Sequence, residues 1–204
     1  MEWWEAILLV VGGVAAGLIN AVAGGGSSLT VPLLVLAGVP GNSANGSNRV
    51  GILTSNAAAA TAFRRLGVRG LSRSAPVLVP IIVGSLVGAY GITRLTDDAF
   101  ERVFGILMLP IIFLSIRKPK PKVDARPWST AFTAAVFFAV GLYGGAVQAG
   151  VGLVMLAALT RAGYDLVTAN NVKVVANLTL TAVALPVFIV QGKVEWIPAL
   201  VLAA

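Results

Sequence analysis

Two stretches of this chain place small and polar residues where apolar runs are interrupted. The first is Gly24-Gly25-Gly26-Ser27-Ser28 and the second is Gln148-Ala149-Gly150-Val151-Gly152. Non-helical backbone at membrane depth is tolerated only where protein or a water-filled cavity satisfies it, so a glycine break inside an apolar run points to a site. A short helix after each break would begin with unpaired N–H groups and the positive end of its dipole, which attract anions. Ser27 and Ser28 add hydroxyl donors at one break, and Gln148 adds an amide next to Gly150 at the other. A lone glycine would indicate close helix packing instead. The Gly-Gly-Gly-Ser-Ser run, matched by a second break, favours a site.

A second group of polar residues follows each break: Asn45, Asn48 and Arg49 after the first, Asn170, Asn171 and Lys173 after the second. Each set joins amide donors to one cation, and the two sets together suit a small oxyanion. The competing reading is that Arg49 and Lys173 snorkel to the interface, since both lie near expected span ends. Asn56 and Asn177 lie deeper, where each needs a hydrogen-bonding partner. Pro80, Pro110 and Pro186 are expected to kink their spans. The chain has no histidine and no cysteine, which removes the commonest general base, thiolate metal sites and disulfides. No catalytic residue, metal or cofactor is expected.

The elements that must hold these residues are spans. The 204 residues are 57% hydrophobic and 11% charged, against about 45–50% and about 25% in ordinary globular domains. With a mean hydropathy of +0.90, the chain would expose large apolar patches in water, so lipid must be its main solvent. Crossing the hydrocarbon core takes about 20 apolar residues. Candidate spans cover 6–23, 50–63, 75–92, 99–116, 128–147 and 173–190, with short apolar pieces at 29–39 and 153–160 and a polar, turn-rich segment at 40–48. The net charge of +7 does not point to nucleic acid, because the basic residues cluster in short connections. Arg64, Arg65, Arg69 and Arg73 form one group, and Arg117, Lys118, Lys120, Lys122 and Arg126 form another. Such loops are cytoplasmic in membrane proteins. Two spans separate them, which makes the assignment self-consistent.

The order of parts repeats. Gly25 answers Gly150, Gly38 answers Gly163, and Ala44-Asn45 answers Ala169-Asn170, all at one offset. Weak internal symmetry of this kind marks transporter folds. The expected fold is therefore all-α: a polytopic transmembrane helical bundle of two related repeats with glycine-broken helices. Residues 1–116 form the first repeat, 117–127 a basic cytoplasmic linker, and 128–204 the second repeat. Measured against the first, the second repeat stops on the order of 40 residues short, so the chain reads as a fragment or a short form. If the short piece at 29–39 crosses, the chain starts outside and the repeats are inverted. If that piece is re-entrant, they are parallel. The acidic N-terminus, with Glu2 and Glu5, favours inversion.

The chain resembles the sulfite exporter TauE/SafE family of bacterial membrane permeases. The match is carried by residues 16–27 (AGLINAVAGGGS), Val31-Pro32-Leu33-Leu34, Gly38 and Ala44-Asn45, by residues 141–152 with Ala169-Asn170, and by the stretches 84–89 and 104–107. The resemblance implies a multi-pass protein of the bacterial inner membrane that moves small anions, with sulfite and organosulfonates as the family's named substrates. On this reading Gly24, Gly25, Gly26, Ser27, Ser28, Asn45, Asn48, Arg49, Gln148, Gly150, Asn170, Asn171 and Lys173 bind the anion. The other expected partners are the lipid bilayer, a coupling ion (proton or sodium) and further copies of the chain, with no nucleic acid. The rival readings are an intramembrane enzyme, disfavoured by the residue types, and a non-transporting scaffold or assembly protein, which leaves the paired glycine breaks unexplained.

Overall fold

The computed structural model describes residues 1–22, 24–68, 71–116 and 128–204, and every regular element among them is an α-helix. Arg69, the side chain of Arg73 and the basic linker 117–127 lie outside the described residues. The helices are α1 (Trp3–Val22), α2 (Ser27–Leu36), α3 (Gly41–Arg65), α4 (Leu71–Ile92), α5 (Asp97–Ile116), α6 (Thr130–Ala146), α7 (Val151–Arg161), α8 (Leu166–Val190) and α9 (Trp196–Ala203). With 10 and 11 residues, α2 and α7 rise only about 15–17 Å, roughly half of the hydrocarbon thickness. In α3 and α8, 25 residues each rise about 37 Å and suffice to cross.

The polar segment 40–48, expected as a turn-rich loop, is helical from Gly41 onward. Its Asn, Ser and Gly residues have poor helix propensity, and tertiary hydrogen bonds override it. Asn42 donates through Nδ2 to the Ile92 and Leu95 carbonyls at 2.9 and 3.1 Å, and its backbone N–H donates to Asp97 Oδ1 at 2.9 Å. The second long helix likewise starts earlier than expected, at Leu166. Asp165 caps it by accepting from the Val167 and Thr168 amides, and hydrogen bonds from Thr168 hold that carboxyl below its usual range.

Contacts fix the direction of each helix. A side chain on Gly26 would strike the Ala16 backbone, and one on Gly12 would strike Leu33, so α2 runs back along α1. Leu9 clusters with Val39 and Ala44, so α1 and α3 start at the same end. Met1, Val39, Pro40 and Trp196 line a groove at that end. Phe63, close to the end of α3, shares a groove with Leu166 and Val167 at the opposite end. Trp128, just before α6, lies there too, near Ala162 and Tyr164. Thus α1 and α6 enter from opposite ends of the bundle.

The two largest apolar clusters follow from this arrangement. Leu9, Val31, Leu34, Ala44 and Leu202 join α1, α2, α3 and α9. Val77, Ile81, Phe137, Met155, Val172 and Leu180 join α4, α6, α7 and α8. The outer faces are apolar as well. Ile7, Val11, Val14 and Leu18 on α1, Val79, Val83 and Val87 on α4, and Ile106, Leu109, Ile112 and Phe113 on α5 are all exposed. Continuous outward surfaces of this kind need a lipid or protein cover. By length and composition, residues Trp3–Ala21 and Leu166–Val190 suffice to cross a membrane.

The seam between α4 and α6 is built on two Gly-x-x-x-Gly pairs. A side chain on Gly84 or Gly88 would meet the backbone of α6 around Phe138 and Leu142, and one on Gly141 or Gly145 would meet the backbone of α4 at Ile81 and Ser85. Small residues four apart let membrane helices approach backbone to backbone. Gly105 on α5 has open space around it. Gly88→Leu or Gly141→Leu should therefore overpack the seam at a cost of about 1–3 kcal/mol. Gly105→Leu should leave stability unchanged. Thermal unfolding of the three variants in detergent checks this: the first two lose several degrees of Tm, and the third does not.

Candidate functional site

The two glycine-rich segments touch each other at the centre of the bundle. Gly24 has a φ of +83°, and the positions a Cβ would take on Gly24 and on Gly152 lie 2.7 and 2.5 Å from the other residue's backbone. No side chain fits at either place. Ser27 Oγ donates to the Gln148 carbonyl at 3.3 Å and accepts from the Gly150 N–H at 3.2 Å. Gly150 is left-handed, with a φ of +69°, and so is Gln148, with a φ of +63°. For a residue with a Cβ this conformation costs about 1–2 kcal/mol. The buried Gln148 side chain offsets that cost with three hydrogen bonds. Its Oε1 accepts from Arg49, and its Nε2 donates to Asn177 Oδ1 at 3.0 Å and Thr181 Oγ1 at 3.2 Å.

Several backbone amides at the helix starts, expected to be free for a ligand, close short turns instead. Ser28 donates to the Gly25 carbonyl, Leu29 to Gly26, and Leu153 to Gly150. Gly25 packs on the Leu153 side chain and Gly26 on the Ala16 backbone. Ser28 Oγ is buried with no protein partner.

The cations and asparagines of each half reach the last carbonyls of the other half's first helix. Arg49 of α3 is fully buried. It donates to the Gly144 and Gly145 carbonyls at 3.2 and 2.6 Å and to Gln148 Oε1 at 3.0 Å, and its guanidinium lies 4.2 Å above the Phe188 ring. Asn45 Nδ2 donates to the Ala146 carbonyl at 2.7 Å. In the reverse direction, Lys173 Nζ of α8 donates to the Asn20 carbonyl at 2.8 Å and Asn170 Nδ2 to the Ala21 carbonyl at 2.9 Å. Asn45 and Asn170, Ala21 and Ala146, and Asn20 and Gly145 all lie at one sequence separation. The physical cause is plain: the last carbonyls of a helix have no partner within it and carry the negative end of its dipole. Neither cation snorkels. The described ion pair is elsewhere, Lys193 with Asp97 at 4.0 Å, and among the described residues no carboxylate lies within that distance of Arg49 or Lys173.

Asn171 stands apart from this network and donates to the Val68 carbonyl after α3. Asn48 Oδ1 accepts from Thr30 Oγ1 at 2.5 Å, and Asn48 lines a small cavity of about 20 Å³ with Asn20, Thr30, Ser55 and Gly51. Asn20, Thr30, Gly144, Gly145 and Phe188 were not singled out as site residues from the sequence. Asn20 carried a usable signal, since an amide in the last turns of an apolar span needs a partner. Among the described residues, no group of three or more acidic side chains is placed to hold a metal ion.

Arg49→Met would leave the Gly144, Gly145 and Gln148 acceptors unpaired, at about 1–3 kcal/mol for each buried group. Arg49→Lys keeps the charge but loses the fork that spans separate carbonyls. Both variants should unfold at lower temperature than the parent in detergent, with Arg49→Met the lower of the two. A parent-like Tm for Arg49→Met would show that these bonds do not hold the centre together.

Comparison with known proteins adds identity to this geometry. The family described as sulfite exporter TauE/SafE matches residues 9–204. A probable membrane transporter protein of Sinorhizobium is 27% identical, over 92% of this chain and 74% of the relative. One from Haemophilus influenzae is 29% identical, over 94% of this chain and 76% of the relative. The probable membrane transporter protein YfcA of Escherichia coli is 29% identical, over 89% of this chain and 69% of the relative. No solved structure matches the chain. A family match over nearly the whole length, on an all-helical bundle with an apolar exterior, makes the chain an integral membrane protein belonging to the sulfite exporter TauE/SafE family.

Proposed function

We propose that this chain is a secondary permease for a small anion of the sulfur-oxyanion and organosulfonate class. The observation that carries the reading is a pair of buried cations, Arg49 and Lys173, with no carboxylate partner among the described residues. Hydrogen bonds and helix dipoles ease their burial without neutralising the net charge, which a visiting anion would balance. The starts of α2 and α7 meet beside these cations and add positive dipole ends.

Two related halves account for the arrangement. In each half a long helix, a glycine segment, a half-length helix and a 25-residue helix follow in the same order. Entry of α1 and α6 from opposite ends supports inverted repeats, the common basis of alternating access. The Gly24–Gly152 contact is backbone on backbone, a crossing about which the halves can rock without side chains interlocking. Arg64 and Arg65 end α3 and Arg161 ends α7 at the same end of the bundle, whereas Glu2, Glu5, Asp97, Asp98 and Glu195 gather at the other. This asymmetry supports a cytoplasmic basic face and an external N-terminus in a bacterial inner membrane.

Two experiments test these statements. In proteoliposomes holding the full chain, sulfite counterflow should be saturable, and Lys173→Gln should reduce it at least about tenfold, as expected for loss of a charge-assisted interaction. Equal counterflow in parent and variant would refute the role of Lys173. The chain has no cysteine, so single cysteines report sidedness cleanly. Glu2→Cys should react with an impermeant maleimide on intact cells, and Arg65→Cys only after permeabilisation. The reverse pattern would invert the topology.

A further inference from the structure

The cavity between α1 and α3 differs from the rest of the centre. It is bordered by Gly13, Ala16, Asn20, Thr30, Asn48 and Gly51, and its 20 Å³ admit about one oxygen-sized group. Asn20 and Asn48 are 6% and 0% exposed, and the Nδ2 of each is buried without a hydrogen-bond partner. Two unpaired amide donors on one small cavity are a liability of about 1–3 kcal/mol each. Structures retain such groups when something else satisfies them.

What is left open defines the ligand. Two acceptors nearby are taken: Asn48 Oδ1 by the Thr30 hydroxyl, and the Asn20 carbonyl by Lys173 Nζ. The buried side-chain atoms left without a partner among the lining residues are N–H donors, and the charge one hydrogen bond away through Asn20 is positive. That chemistry accepts the oxygen of an anion and repels a metal cation. Among the described residues, the second half has no amide pair at the matching positions. Gly145 stands at the separation that answers Asn20, its carbonyl is taken by Arg49, and Lys173 answers Asn48.

We propose that this cavity is the subsite that receives one oxygen of the transported oxyanion, with Asn20 Nδ2 and Asn48 Nδ2 as its donors. Among the described residues the subsite lies in the first half, on α1, α2 and α3. This inference rests on the permease reading and adds to it the atoms that touch the anion.

The test uses the full chain in liposomes and sulfite as the probe, with thermal unfolding in detergent alongside. Asn20→Leu and Asn48→Leu should each raise the half-saturating sulfite concentration at least about tenfold, the loss expected for a hydrogen bond to a charged group. Asn20→Leu removes an orphaned donor and should not lower the Tm in sulfite-free buffer, Asn48→Leu also removes the acceptor of the Thr30 hydroxyl and should lower it modestly, and in both the sulfite-induced rise in Tm should disappear. Gly51→Ala gives a second, non-disruptive probe. Its methyl meets only Leu202, at 3.6 Å or more, it favours the helix, and it narrows the cavity, so it should weaken sulfite binding in a fully folded protein. Excess chloride should not compete. A Leu variant or Gly51→Ala with parental half-saturation overturns the subsite while leaving the permease reading intact. Competition by chloride as strong as by unlabelled sulfite overturns the oxyanion class. Absence of any small-anion flux in the parent refutes the permease reading, and the subsite falls with it.

Discussion

A helix that ends inside a helical bundle leaves carbonyls that its own backbone cannot satisfy, and this constraint organises the whole centre of the protein. The helices α1 and α6 both end in this way, and each is closed by side chains from the opposite half. The donors must be long enough to reach, polar enough to bond and carried on an intact helix that holds them in place. Asparagine and a cation four or three residues further on meet those needs from one face of α3 and of α8. The same bonds draw two positive charges into the centre, where each rests on the negative end of a helix dipole rather than on a carboxylate. Structure and electrostatics are thus one device: the groups that close the helix ends also bring positive charge to the centre.

Arg49 and Lys173 perform this task with different chemistry. The guanidinium fork spans two carbonyls and an amide and stacks on Phe188, which uses most of its donors. The lysine ammonium has one described bond, and its remaining valences are not tied to a fixed plane. The half closed by Arg49 is therefore the more densely bonded one. The half closed by Lys173 retains the small cavity and the unpaired amides.

The helical class was legible because composition alone rules out a water-soluble core, and the asparagines, glycines and two cations stood out against apolar runs. Their partners were not legible. Arg49 bonds to Gly144 and Gly145, Asn170 to Ala21, and Asn48 to Thr30, and in the first two cases the acceptor is a backbone carbonyl, which no residue letter reveals. For the same reason the segment 40–48 read as a loop, although buried hydrogen bonds make it the opening turns of α3. The Gly84-x-x-x-Gly88 and Gly141-x-x-x-Gly145 spacings were visible, yet their pairing depends on which helices become neighbours.

The exchange of fourth helices between the two cores has a consequence for biosynthesis. The core of α1, α2 and α3 is completed by Leu202 of α9, which is made after α4 to α8. The core of α6, α7 and α8 relies on α4, which is made before them. Chains emerge N-terminus first and domains usually settle in that order, but here α1, α2 and α3 must wait for α9. The core of α6, α7 and α8 finds its partner helix already made. Closure of the first core is consequently deferred past the synthesis of five intervening helices, a contact of high sequence separation.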